Sequence, residues 1–224
     1  MKNVVPSVIA DIASAKKKIA VIVAHPDDET LWAGGTILGH IDWQVYVISV
    51  CRGDDPDRAP KFNAALRVLR AEGAMGCLDD GVRQIPLSAS EIQHTILALL
   101  PPLVYDLVIT HNPSGEYTYH RRHVEVSEAV IKLWKKRKIK SKELWTFAYH
   151  DGNRQFYPRP NKTAPIKNQL DLAIYDIKYE IMNRVYGYPK DGWEVITTPS
   201  TEAFWSFTDT GKAMAWLSRG GVLA

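Results

Sequence analysis

Two short clusters of this 224-residue chain hold six side chains suited to holding a cation or moving a proton. His25, Asp27, Asp28 and Glu29 lie in the string Ala24-His25-Pro26-Asp27-Asp28-Glu29. His120 and His123 sit three apart in His120-Arg121-Arg122-His123, so on a helical turn they share a face. Zinc favours imidazole and carboxylate ligands, and a catalytic site commonly supplies three of them with a fourth position left open. Each cluster also has a plainer reading. Asp27 or Asp28 can serve as the N-cap of a following helix, and three histidines between His111 and His123 can belong to a polar surface loop. A cap needs one such residue, however, and leaves His25 and the other carboxylates unused.

The elements around these clusters give them their meaning. Ile19 to Ala24 is a short, β-branched apolar run, the pattern of a strand buried on both faces. The spacing predicts a helix over 30–39, a strand over 43–50, a helix over 60–72 ended by Gly73, and a helix over 90–100 stopped by Pro101-Pro102. It further predicts a strand over 103–110, a helix over 125–137, a strand over 143–149, a long loop over 151–165 and a helix over 170–185. A short helix is expected over 6–16. Strands alternating with helices imply an α/β fold, a Rossmann-like three-layer α/β/α sandwich with a mostly parallel sheet. Both clusters then follow strands of that sheet, at the edge where such folds place their sites.

Length and composition fit one domain over 1–224, its core at about 18–150 and an apolar, aromatic tail at about 166–224 packed back on it. A formal charge of +3 is too small to argue for nucleic acid, and the basic run from Lys132 to Lys142 reads as a solvated helix face. Two cysteines, Cys51 and Cys77, make no disulfide framework and read as core thiols of a reducing compartment. No apolar stretch approaches the roughly 20 residues of a membrane span, and no signal pattern opens the chain. The expected location is the cytoplasm.

The string Ala24-His-Pro-Asp-Asp-Glu-Thr30, followed by Gly34-Gly35-Thr36 and later by His120-x-x-His123, resembles the LmbE-like (PIG-L) family of N-acetylglucosaminyl deacetylases. The likeness covers about residues 18–150, with fainter echoes in Lys178 and Glu202-Ala203-Phe204. It implies one catalytic Zn2+ or another divalent transition metal, and hydrolysis of an N-acetyl or related amide in a small-molecule substrate, often an amino sugar. By position, His25, Asp28 and His123 would be the metal ligands and Asp27 the general base. His120, protonated, would stabilise the oxyanion, and Glu29 would orient a ligand from behind. His111 and His150 are expected to be structural or to support a ligand.

Several positions depart from the family pattern. Arg121-Arg122 replaces a common Pro-Asp pair, and either admits an acidic substrate, pairs with Glu125 and Glu128, or is simply solvated. The arginine that grips a sugar hydroxyl falls on Ala64, so Arg58, Lys61 or Arg52 would have to substitute, with Asp80 or Asp79 holding another hydroxyl. Trp32 reads as a core residue or a stacking platform. Tyr117 and Tyr119 either donate to an oxyanion or pack. The same chemistry on a thiol conjugate or another N-acyl amide is an open alternative, as is a metal-bound glycan-binding protein without turnover. Retention of Asp27 and His120 speaks against the last. A nucleotide-binding fold is disfavoured by the lack of G-x-G-x-x-G after the first strand. The aromatic tail is compatible with a homo-oligomer.

Overall fold

The first apolar run of the described residues forms β1 (Lys17–Val23), an interior strand of a seven-stranded sheet. Its residues alternate between two cores. Ile19, Val21 and Val23 join Trp32 and Phe62 on one face, while Ala20, Ile22 and Ala24 join Ile92, Ile96, Val126 and Trp134 on the other. Burial on both faces is what the unbroken apolar pattern required. The computed structural model describes residues 16–221, so the helix expected over 6–16 lies outside the described residues but for Lys16.

Further elements follow as α1 (Asp28–Gly39), β2 (Trp43–Cys51), α2 (Arg58–Leu69), β3 (Glu72–Leu78), α3 (Ala89–Leu99), β4 (Val104–Thr110) and α4 (Arg121–Lys135). After β5 (Lys140–Phe147), a two-stranded ribbon pairs β6 (Tyr149–His150) with β7 (Arg159–Pro160). The chain then runs through β8 (Ile166–Gln169), α5 (Leu172–Glu180) with a π-helical continuation over Ile181–Val185, α6 (Trp193–Thr197), β9 (Thr201–Phe207) and α7 (Thr210–Ser218). The sheet order is β3-β2-β1-β4-β5-β9-β8. Its first five strands are parallel, and β9 and β8 add antiparallel pairs at one edge. The mostly parallel sheet with helices on both faces is the α/β sandwich expected from the sequence.

Three local readings change. Gly73 does not end a helix, because α2 stops at Leu69 and Gly73 lies inside β3. A Cβ there would meet the Val47 carbonyl oxygen at 2.3 Å, so only glycine lets β3 lie against β2. The aromatic tail is a strand of the main sheet, β9, hydrogen-bonded to β5. Cys51 is buried, but Cys77 is exposed rather than a core thiol. Among the described residues no helix is long and apolar enough to cross a membrane.

The position of the site follows from this topology. β1 and β4 are neighbours, with Ile22 paired to Thr110, but the chain leaves β1 toward β2 on one side and reaches β4 on the other. The loops after β1 and β4 therefore open a crevice at the carboxyl ends of the two strands.

Candidate functional site

Asp27 stands at the N-terminal boundary of α1 with φ 129° and ψ −31°, a conformation rare for a residue with a side chain. Its carbonyl accepts from the amides of Thr30 and Leu31, while its side chain makes no cap. The helix is thus started by backbone alone, and the carboxylate is free to face the crevice. The buried Glu29 fixes this turn: one oxygen accepts from the Asp27 amide at 3.0 Å, the other from Tyr186 Oη at 2.7 Å and Thr30 Oγ1 at 2.6 Å. Glu29 therefore orients the turn carrying Asp27 rather than touching His25, Asp28 or His123.

Three donor atoms converge from the two loops. His25 Nδ1 lies 3.1 Å from Asp28 Oδ2 and 3.2 Å from His123 Nε2, and the latter two are 3.4 Å apart. Around a tetrahedral zinc with bonds near 2.0–2.1 Å, neighbouring donors lie roughly 3.3–3.4 Å apart. The far nitrogens settle the tautomers. His123 Nδ1–H donates to Glu116 Oε2 at 2.6 Å, and His25 Nε2–H donates to Asp80 Oδ1 at 3.1 Å. Both imidazoles thus turn lone pairs toward each other and toward a carboxylate oxygen, a cluster that calls for a positive charge. Burial lowers the pKa of both histidines, but Asp28, helped by Asp80 or Glu116, outweighs it and both stand above the ordinary value. A proton or a metal ion answers the same demand, and the donor set fits a divalent transition metal.

The remaining histidines are not equivalent. His111 is fully buried and stacked on His123, its Nδ1–H on Glu116 and its Nε2 accepting from the Ala24 amide at 2.9 Å. With that lone pair engaged it supports the site rather than holding an ion, although Asp28, His111 and His123 also lie close enough to form a cation-binding group. His120 stacks on His123 and meets the edge of His25, forming a wall of the crevice with Nδ1 buried and unpartnered. Burial and the two neighbouring imidazoles push its pKa down to about 3. A ring held neutral in this way would offer a single N–H, where the family resemblance implies an imidazolium.

Asp27 Oδ2 accepts from Arg58 at 3.1 Å and, through a very short contact, from Tyr188 Oη, which Arg58 also contacts. No hydrogen bond engages Oδ1 among the described residues. Burial and the adjacent Asp28 charge raise the Asp27 pKa to about 7 against the pull of Tyr188, His25 and Arg58. That is the range suited to a group that takes and returns a proton near neutrality. The crevice, about 160 Å³, is also lined by Arg52, Tyr117, Trp193 and Glu194.

The GlcNAc-PI de-N-acetylase (PIG-L) family profile matches residues 20–134, just over half of the chain. The chain belongs to the PIG-L family. An uncharacterised protein of Acanthamoeba polyphaga mimivirus is 25% identical over 161 residues, 66% of this chain and 68% of that one. Among solved structures, N,N'-diacetylchitobiose deacetylase of Pyrococcus horikoshii has a TM-score of 0.62 at 17% identity, covering 86% of this chain and 84% of its own. The 4-carboxy-2-hydroxymuconate hydratase GalB of Pseudomonas putida KT2440 has a TM-score of 0.59 at 16% identity, covering 85% and 95%. PIG-L membership makes the chain a hydrolase of the deacetylase type; the two structural likenesses show the shared α/β fold.

In this PIG-L chain the structure brings together His25, Asp27, Asp28, His120, Arg58 and Asp80 around one crevice, with His123 set behind its wall against His25 and Asp28. Lys61 is not among its walls; its ammonium pairs with Asp57. Arg58 is committed to Asp27 and Tyr188, and Asp80 is shared by His25, Arg52 and Gln84. Arg122 is neither solvated nor at the mouth: it is fully buried, bonded to Glu125 and to the Ile85 carbonyl. Trp32 is buried core, its indole N–H on Asp28 Oδ1 at 3.2 Å, which leaves no exposed face for a sugar. Sequence reading gave no role to Glu116 and missed Tyr188 and Trp193. Glu116 lies four residues before His120 but had no partner visible in one dimension, and Tyr188 reaches Asp27 across 161 positions.

Proposed function

We propose that this chain is a metal-dependent N-deacylase that removes an N-acyl group, most simply N-acetyl, from an amino sugar or related amide. The ion, zinc first among the candidates, is assigned to His25, Asp28 and His123. The observation that carries this reading is the convergence of three lone-pair donors beside a carboxylate, Asp27, that is not spent on capping its helix. A purely structural zinc site would be closed by four protein ligands and would have no use for Asp27.

A divalent cation at these donors supplies Lewis acidity, lowering the pKa of water beside it toward about 7 and polarising an acyl carbonyl. Asp27, anchored through Oδ2 by Arg58 and Tyr188, presents Oδ1 to accept a proton from water as its oxygen bonds to the acyl carbon. His120 donates its N–H to the carbonyl oxygen as negative charge builds there. Asp27 then returns the proton to the nitrogen as the C–N bond breaks, leaving a free amine and a carboxylic acid, which gives up its own proton to solvent or to the amine. The same residue thus serves as base and then as acid.

The test is amine release from a panel of N-acetylated amino sugars, with chelated protein and protein resupplied with zinc. Release that zinc restores is the expected result. Silence across the panel with one zinc bound per chain would leave the ion site standing and remove N-acetyl amino sugars as the substrate class.

A further inference from the structure

The two carboxylate oxygens of Asp28 are used differently. Oδ2 faces the imidazoles, 3.1 Å from His25 Nδ1 and 3.4 Å from His123 Nε2, and accepts the His25 amide at 3.0 Å. Oδ1 takes the indole N–H of Trp32 at 3.2 Å, its sole hydrogen bond among the described residues. Trp32 follows Asp28 by four residues in α1, so the two side chains share a helix face.

The indole is held in that orientation. It is fully buried, with the Tyr149 ring centroid 4.8 Å away and that of Tyr117 at 6.3 Å. Tyr149 is itself pinned, its hydroxyl donating to the Trp32 carbonyl at 3.3 Å and accepting the Ala203 amide of β9 at 3.3 Å. An indole N–H can only donate, and a buried one that loses its acceptor bears the cost of desolvation. Rotating Asp28 so that both oxygens face the imidazoles would therefore strand the Trp32 N–H among apolar and aromatic neighbours.

We propose that Trp32 is a positioning residue that sets the ion selectivity of the site, by keeping Oδ1 of Asp28 away from the ion so that this carboxylate binds through one oxygen alone. With Oδ1 engaged, His25, Asp28 and His123 offer three donor atoms, a set suited to zinc and its low coordination number. A carboxylate free to bind through both oxygens would add a fourth donor and favour ions such as manganese, which gather six ligands, mostly oxygen. The inference rests on the assignment of the ion to these three residues in the proposed function.

The test replaces Trp32 alone with its benzothienyl analogue, which keeps the fused-ring shape and has sulfur in place of the indole N–H. Trp32→Phe is the genetically encoded companion, and the analogue decides if that variant fails to fold. Zinc and manganese Kd values are measured on the full chain by competition with a chelating dye. The analogue should lose roughly tenfold or more in zinc affinity while manganese affinity holds, so the zinc-to-manganese preference narrows by about the same factor. Cobalt reports the coordination directly, since its visible bands weaken as ligands are added, and the bands of the analogue should be weaker than those of wild type. Zinc and manganese affinities that move together, or cobalt bands that stay as in wild type, overturn the role of the N–H and leave the ion site in place. Wild type that binds no zinc, or His123→Ala that binds it as tightly as wild type, removes the ion site and this role with it.

Discussion

At the scale of single residues, the site is defined by which nitrogen of each histidine is spoken for. Glu116 takes the Nδ1 proton of His123 and Asp80 takes the Nε2 proton of His25, so the opposite nitrogens converge on Asp28. Such outer carboxylates are expected to matter almost as much as the ligands. Glu116→Gln should weaken zinc affinity by roughly 10- to 100-fold, read by competition with a chelating dye, and affinity equal to wild type would show that His123 is held by packing alone. Asp27 and His123 should separate cleanly. Asp27→Asn is expected to bind zinc as wild type does and lose roughly 10²- to 10⁴-fold in kcat, whereas His123→Ala should lose the metal itself. Equal metal loss in both would contradict the division of labour. The donors were legible in sequence because each pair sits within four residues. Their supports were not, since Asp80 meets His25 from 55 positions away and Tyr188 meets Asp27 from 161.

At the scale of elements, sequence patterning succeeded where one physical cause dominated. β1, β2 and β4 are apolar runs buried on both sides, and α1, α3 and α4 carry helical spacing with clear stops. It failed at β3, where Gly73 and Gly76 look like breakers but are required by the close approach of Val47 and Val50 carbonyls on β2. It also failed at β9, whose aromatic residues gave no sign of joining β5 from 57 positions downstream, Phe204 opposite Phe147. One buried ion pair ties that tail to the site. Lys178 of α5 donates to Glu202 of β9 at 2.7 Å, and Glu202 accepts the amides of Gly35 and Thr36 within α1, the helix that carries Asp28. Both charges are fully buried. Lys178→Met would leave Glu202 buried with the two α1 amides but without its cation, and should cost about 3–5 kcal/mol of stability in urea denaturation. Adding Glu202→Gln should recover only a small part of that loss, because the buried charge is gone but one of the two oxygens that accept from α1 becomes an NH2 group facing a backbone N–H. A double variant as unstable as the sum of the singles would mean that the pair acts through geometry and not through charge.

At the scale of the whole molecule, the proposed ion ties together loops that follow two different strands, its donors coming from His25 and from His123, 98 positions later. An ion that binds only the folded chain stabilises it by mass action. At a free concentration about 1,000 times Kd the gain is about 4 kcal/mol, which for a chain of this size raises Tm by roughly 10 °C. Thermal unfolding with zinc and with chelator should show that difference in wild type and in Asp27→Asn, and should not show it in His123→Ala. The gain should also depend on pH with a definite sign. His25 and His123 both hold protons more tightly than ordinary histidines, because Asp28 outweighs the effect of their burial. Zinc must displace those protons, so its binding releases them and strengthens as pH rises. The zinc-dependent part of Tm should therefore shrink as pH falls, beginning above the ordinary histidine value of about 6.5. A zinc effect constant from pH 8 to pH 5.5 would mean that the ion binds elsewhere, at groups that carry no proton in that range.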